Sequence, residues 1–177
     1  IIWRTMKEHR KENLNQIIKF RIEKLNEIKN ANINPYPYKY RRSHLIAEII
    51  ENADNLINAN VSIAGRIISM RKMGKAAFFN IQDINGKIQV YVKKDNLPSN
   101  IYDEVVRKID IGDIIGISGE VFYTKTEELS IRSTDFTILC KSIRPLPNLK
   151  EKDGKTFFAF DDKELRYRKR YLDLIAN

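Results

Sequence analysis

The chain has 177 residues, 42% of them hydrophobic, with 32 Lys/Arg against 23 Asp/Glu for a formal net charge of +9. That is enough apolar material for one ordinary core with extensions, no apolar run approaches the roughly 20 residues of a membrane span, and charge follows Ile1-Ile2-Trp3 too soon for a signal peptide. A single cysteine, Cys140, excludes an internal disulfide or multi-cysteine zinc site and makes a reducing, cytoplasmic setting the default, and His9 and His44 lie too far apart in sequence to suggest a metal site.

The charge is uneven. Residues 1–42 hold eleven Lys/Arg against four Asp/Glu, residues 43–60 three acids and no base, residues 61–144 thirteen bases against ten acids, and the remainder eight against six. A basic arm ahead of a nearly balanced domain points to a polyanionic partner.

In chain order, the first dozen residues show no period and are expected to fray, and a start at Ile rather than Met suggests a fragment. From Asn13 to Asn30, Leu14, Ile17, Ile18, Ile22, Leu25 and Ile28 recur at steps of three and four, predicting an amphipathic helix with Lys19, Arg21, Lys24 and Lys29 on its other faces. Asn32 can take a left-handed C-terminal cap, and Pro35 and Pro37 forbid continuation, so Asn34 to Tyr38 reads as an extended connector. Ser43 is a candidate cap for a second short helix that packs Leu45, Ile46, Ile49 and Ile50 inward, and residues 52–60 read as a linker.

From Val61 the period changes to two. Val61–Met70 is the first predicted strand, and Gly74 supplies the positive φ of the connection that follows. Ala76–Asp83 places Ala77, Phe79 and Ile81 on one side and Phe78, Asn80 and Gln82 on the other. Asn85-Gly86 is a hairpin signal, and Lys87–Val92 returns with Ile88, Val90 and Val92 inward and Gln89 and Tyr91 outward. A helix-like segment, Ile101–Ile109, precedes strands over Asp113–Tyr123 and Glu128–Leu139, joined by the turn Lys125-Thr126-Glu127. Three strands, a short helix and two strands is the order of an OB-fold, whose binding face is centred on strands two and three and flanked by the loops between strands one and two and between four and five. Arg144-Pro145-Leu146-Pro147 reads as an exit strut, residues 148–162 as a loop, and the segment from Asp161 or Asp162 onward as a helix carrying Leu165, Leu172 and Ile175. The predicted fold is mainly β with flanking helices, a five-stranded OB-fold barrel preceded by an amphipathic N-terminal helix. The predicted divisions are 1–60 (basic helical arm and linker), 61–144 (the barrel) and 145–177 (a linker and the start of a further domain).

Several stretches resemble the N-terminal anticodon-binding domain of class II lysyl-tRNA synthetases: Ile33-Asn34-Pro35-Tyr36-Pro37, Met73-Gly74-Lys75-Ala76, Lys87-Ile88-Gln89-Val90-Tyr91-Val92, Asp110-Ile111-Gly112-Asp113, Thr124-Lys125-Thr126, Arg144-Pro145-Leu146-Pro147 and the basic run Arg166–Leu174. The resemblance covers about residues 13–177. It implies that the barrel binds the anticodon loop of lysine tRNA through four residues: Arg71 in the connection after strand one, Phe78 stacking on the central base, Gln89 reading that base, and Glu128 after the last turn. Strand parity independently places Phe78 and Gln89 outward. Lys72, Lys75 and Lys125 flank the same face as candidate phosphate contacts, and Tyr91 shares the parity of Gln89.

The resemblance also implies a homodimeric, cytoplasmic parent enzyme that activates lysine with ATP and magnesium. Its catalytic domain would begin after Asn177, so no residue of this chain is assigned a catalytic, cofactor or metal role. Glu127 stands where the family often has glycine. Read from the residues alone, the alternative is an OB protein that binds any single-stranded nucleic acid, with affinity set by salt; a barrel serving mainly as an assembly surface is a third reading.

Overall fold

A computed structural model describes residues 2–98, 100–146, 149–152, 155–158 and 163–176, with side chains described from residue 13 onward outside 149–158, 165 and 176. Two compact units divide at Ile143/Arg144.

The first unit contains the barrel. Strands β1 (Asn60–Met73), β2 (Ala76–Gln82), β3 (Lys87–Lys93), β4 (Ile114–Tyr123) and β5 (Leu129–Cys140) close in the order β1-β2-β3-β5-β4. All neighbours are antiparallel except β3 and β5, which run parallel, with Gln89 opposite Ser130. The predicted alternation holds: Ala77, Phe79, Ile81, Val90 and Val92 are fully buried. The short helical segment Tyr102–Val106 turns Tyr102, Val105 and Val106 into the same core, and Ile109 follows.

Gly74 has φ +59°, as the connection requires. The β2–β3 turn forms for a different reason from the one its sequence suggests. Neither Asn85 nor Gly86 has positive φ among the described residues. Instead Asp83 Oδ1 accepts the N–H groups of Asn85 and Gly86, both at 2.9 Å. A Cβ on Gly86 would lie 2.8 Å from Ile46 Cγ2, so the glycine permits close approach of the helix above it.

That helix, α2 (Ile46–Glu51), is followed by α3 (Ala53–Leu56) within the expected linker. Ser43 does not cap α2; its hydroxyl accepts the Ser62 N–H at 2.8 Å, tying the connector to β1. The first amides of α2 are satisfied by carboxylates, Glu48 accepting from Leu45 N–H (2.6 Å) and Asp83 Oδ2 from Ile46 N–H (2.8 Å). Asp83 therefore closes a turn and caps a helix with one side chain. Ile46 and Ile49 are buried, but Ile50 is exposed, contrary to expectation, because six residues of helix present too narrow a face to bury four apolar side chains.

Helix α1 spans Ile2–Asn30, beginning well before the periodic stretch. Residues 2–12 are rich in Lys, Arg and Glu, which favour helix without an apolar period. Its end matches expectation: Asn32 has φ +57°, Ile33 N–H bonds Ile28 O (3.2 Å) and Asn32 N–H bonds Lys29 O (2.9 Å), the paired bonds of a Schellman cap.

The docking of α1 departs from its sequence pattern. Ile28 is fully buried, yet Leu14, Ile17 and Ile22 are exposed, and Arg21, expected outward, is only 8% exposed. Its guanidinium donates to the Ser142 and Ile111 carbonyls at 2.8 and 3.0 Å, while Lys24 pairs with Asp110. The barrel end met by α1 presents carbonyls and carboxylates, so polar anchors are buried in preference to part of the apolar stripe.

Behind that contact lies an ion cluster. The Lys141 side chain is 0% exposed and its ammonium donates to Asp110 (2.6 Å) and Asp113 (2.8 Å). Asp113 also accepts the N–H groups of Asp110 and Ser142, each at 2.8 Å. Burial pushes the Asp110 carboxyl up, but hydrogen bonds from Lys141 and Lys24, with their charges, outweigh it and hold the pKa below its ordinary 3.8. A carboxyl whose pKa is lowered by folding contributes stability at pH values above its unfolded pKa and loses it as pH falls through the folded one. In urea unfolding, the stability advantage of the wild type over Asp110→Asn is therefore expected to be largest near neutrality and to shrink as pH falls through and below 3.8.

The second unit contains β6 (Leu149–Lys152) paired antiparallel with β7 (Lys155–Phe158), where a loop was expected. Asp153-Gly154 between them is a two-residue hairpin signal that the loop reading missed. The expected caps Asp161 and Asp162 lie outside the described residues. Helices α4 (Lys163–Arg168) and α5 (Arg170–Ala176) follow, with Asp173 accepting from Arg166 and Arg170 at 2.7 Å.

Candidate nucleic-acid interface

The outer wall of β2 and β3 is assembled by register. Phe78 sits opposite Tyr91 and Asn80 opposite Gln89, while Arg71 on β1 pairs with Phe78 from the other side. The Phe78 and Tyr91 rings lie 4.9 Å apart between centroids at 37°, so Tyr91 buttresses Phe78. Phe78 remains half-buried and faces an open cleft of about 520 Å³, while its neighbour Phe79 is fully buried.

Arg71, Phe78, Gln89, Lys125 and Glu128 all line this cleft. Lys125 and Glu128 come from the β4–β5 connection, which is stiffened locally. Thr124 Oγ1 accepts the Glu128 N–H (3.0 Å), Thr124 N–H bonds Glu128 O (3.0 Å), and Glu127 takes φ +59°. A left-handed glutamate is uncommon, and here it turns the chain so that Glu128 faces β3.

Gln89 is held at both ends. Its Nε2 donates to Glu128 Oε2 at 2.7 Å, and its Oε1 accepts from the hydroxyl of Ser130 at 3.0 Å. Ser130 is 0% exposed and was not a sequence candidate. A serine among apolar residues on β5 carries no signal until the parallel β3–β5 register puts it beside Gln89. Asn80, which donates to Ser69 Oγ at 3.0 Å, also lines the cleft. A second recess of about 390 Å³ lies across Gln89 and Glu128, walled by Ile50, Ile68, Lys87 and Leu129.

Lys72 and Lys75 are not among the cleft residues. Lys72, exposed along its stem, turns its ammonium onto the carbonyls of Arg107 (2.9 Å) and Ile109 (3.0 Å), closing the helical segment. Desolvation there, with Lys24 nearby, lowers its pKa to about 8. Its charge is spent within the fold.

A closed five-stranded barrel in the order β1-β2-β3-β5-β4, with an outward ring and amide on β2 and β3, has the architecture of an OB-fold. Residues 61–146 match the family model of the tRNA anticodon type, an OB-fold nucleic acid binding domain. Over nearly its whole length the chain is similar to lysine–tRNA ligases. It is 44% identical over 166 residues to that of Carboxydothermus hydrogenoformans, covering 94% of this chain and 32% of the relative. It is 43% identical over 171 residues to that of Enterobacter sp., with 93% and 32% covered. It is 46% identical over 162 residues to that of Porphyromonas gingivalis, with 86% and 28% covered. The chain thus spans about a third of the length of the curated relatives it matches. Among the described residues no helix is long and apolar enough to cross a membrane.

Proposed function

We propose that this chain is the anticodon-reading module of a lysine–tRNA ligase and that the β2–β3 wall binds the uridine-rich anticodon loop of lysine tRNA. The observation that carries this reading is the convergence of Phe78, Gln89, Arg71 and Glu128 on one cleft, although they come from four separate segments. Phe78 offers a π-face on which an unpaired base stacks, an interaction of about 1–3 kcal/mol that every base can make. Gln89 supplies selectivity, with an acceptor for N3–H of uracil and a donor for a neighbouring carbonyl. Arg71 donates to a base carbonyl or phosphate, Lys125 meets phosphate, and Glu128 accepts from a base edge or a ribose hydroxyl.

The parent enzyme would activate lysine with ATP and magnesium in the cytoplasm, as a homodimer. Among the described residues no three His, Cys, Asp or Glu are grouped to hold a metal ion. The 177-residue chain is expected to bind an anticodon stem-loop with central uridine more tightly than one with that base changed, and Gln89→Ala is expected to reduce the difference about tenfold, read by fluorescence anisotropy. Equal affinities for both loops, with binding that falls with salt on any oligonucleotide, would instead establish an indifferent single-strand binder.

A further inference from the structure

A glutamine amide is nearly symmetric in shape. Turned by 180° about its last torsion it exchanges its oxygen for its NH₂, so an unrestrained Gln89 could pair with uracil in one orientation and with cytosine in the other. Uracil presents a donor at N3, whereas cytosine presents an acceptor there and a donor at N4. Gln89 alone therefore cannot account for a preference between the two pyrimidines.

Its surroundings remove the symmetry. Glu128 can only accept, so the amide end 2.7 Å from Glu128 Oε2 must be Nε2. A turned amide would place Oε1 against a carboxylate oxygen, acceptor on acceptor. At the other end stands the buried Ser130 hydroxyl, which donates to the nearer Oε1 (3.0 Å) in the observed order and would have to give its proton to the farther Glu128 carbonyl (3.2 Å) in order to accept from a turned NH₂. One N–H and one lone pair of the amide remain for a ligand, in a fixed order.

We propose that Ser130 and Glu128 hold the Gln89 amide in a single polarity, and that this held polarity makes the face accept uracil and reject cytosine. The inference rests on the anticodon reading above and assigns Ser130 as a positioning residue. Once a pyrimidine ring is seated on Phe78 with N3 opposite Oε1, the base must offer a proton at that point. Uracil does, and cytosine does not. Glu128 supplies the repulsion that forbids the turned amide, and Ser130 supplies the proton that stabilises the observed one; a structure-preserving change at either end loosens the restraint.

The experiment compares stem-loops with central uridine and central cytidine on the 177-residue chain. Glu128→Gln replaces an obligate acceptor with a group that can also donate to a turned Oε1, and the uridine/cytidine affinity ratio is expected to fall about tenfold, whatever happens to absolute affinity. Ser130→Ala, which removes only the buried hydroxyl, is expected to lower the ratio about threefold. A ratio unchanged in both variants, while Gln89→Ala abolishes it, would overturn the inference and leave the anticodon reading standing. No preference in the wild type would defeat the anticodon reading itself, and the inference with it.

Discussion

Lys141→Met is expected to destabilise the unit formed by residues 1–143 by about 3 kcal/mol, the lower end of the range for removing one partner of a buried ion pair. Methionine approximates the length of the lysine stem, so little packing is lost, and the cost is electrostatic. Asp113, whose side chain is also 0% exposed, keeps two backbone N–H donors but loses its only cation among the described residues, and Asp110 keeps Lys24. The retained hydrogen bonds are the reason for choosing the lower end. Lys24→Met is the matched comparison, because it removes a cation from the same Asp110 at a side chain that is 35% exposed. There, solvent screening limits the loss to about 1 kcal/mol or less. Urea unfolding of both variants at neutral pH checks the pair; equal losses would show that burial is not what makes Lys141 matter.

Phe78→Ala is expected to weaken binding of any single-stranded loop by roughly ten- to a hundredfold, the equivalent of one lost base stack, with little change in selectivity. Its effect on folding should be small, about 1 kcal/mol or less, because the ring stands on the outer wall and loses chiefly its contact with Tyr91. Phe79→Ala, one residue along, should do the reverse and cost about 3–5 kcal/mol of stability, since that ring is fully buried in the core. Titration with a stem-loop, set beside thermal unfolding of the two variants, separates the effects. Similar stability losses at both positions would mean that the strand's two faces are not functionally distinct.

The features that could be read from the chain were those set by near neighbours. Period-two alternation put Phe79, Val90 and Val92 inside and Phe78 and Gln89 outside, and the barrel bears this out. Gly74 and Asn32 also take the left-handed conformations their positions imply, because a turn or a cap is decided within five or six residues. Where the partner lay far along the chain, local pattern misled. The apolar stripe of α1 was a sound signal for a helix but not for how it docks, which depends on carbonyls at Ile111 and Ser142. Ser43 resembled a cap, yet the amides of α2 are met by Glu48 and by Asp83, a residue 37 positions away from Ile46. Lys72 resembled a phosphate ligand, but its ammonium faces carbonyls 35 and 37 residues later.

Side-chain alternation and turn chemistry, both properties of adjacent residues, were thus sufficient to determine the five strands, their order of helix and turn, and the ring and amide that face outward. Closure of the barrel decided the rest. Only when β3 and β5 run side by side does Ser130 come to lie against Gln89, and only a folded β4–β5 connection brings Glu128 to its other end. Hydrogen-bond polarity depends on which groups meet in space, and residues 39 and 41 positions apart in the chain carry no local record of that meeting.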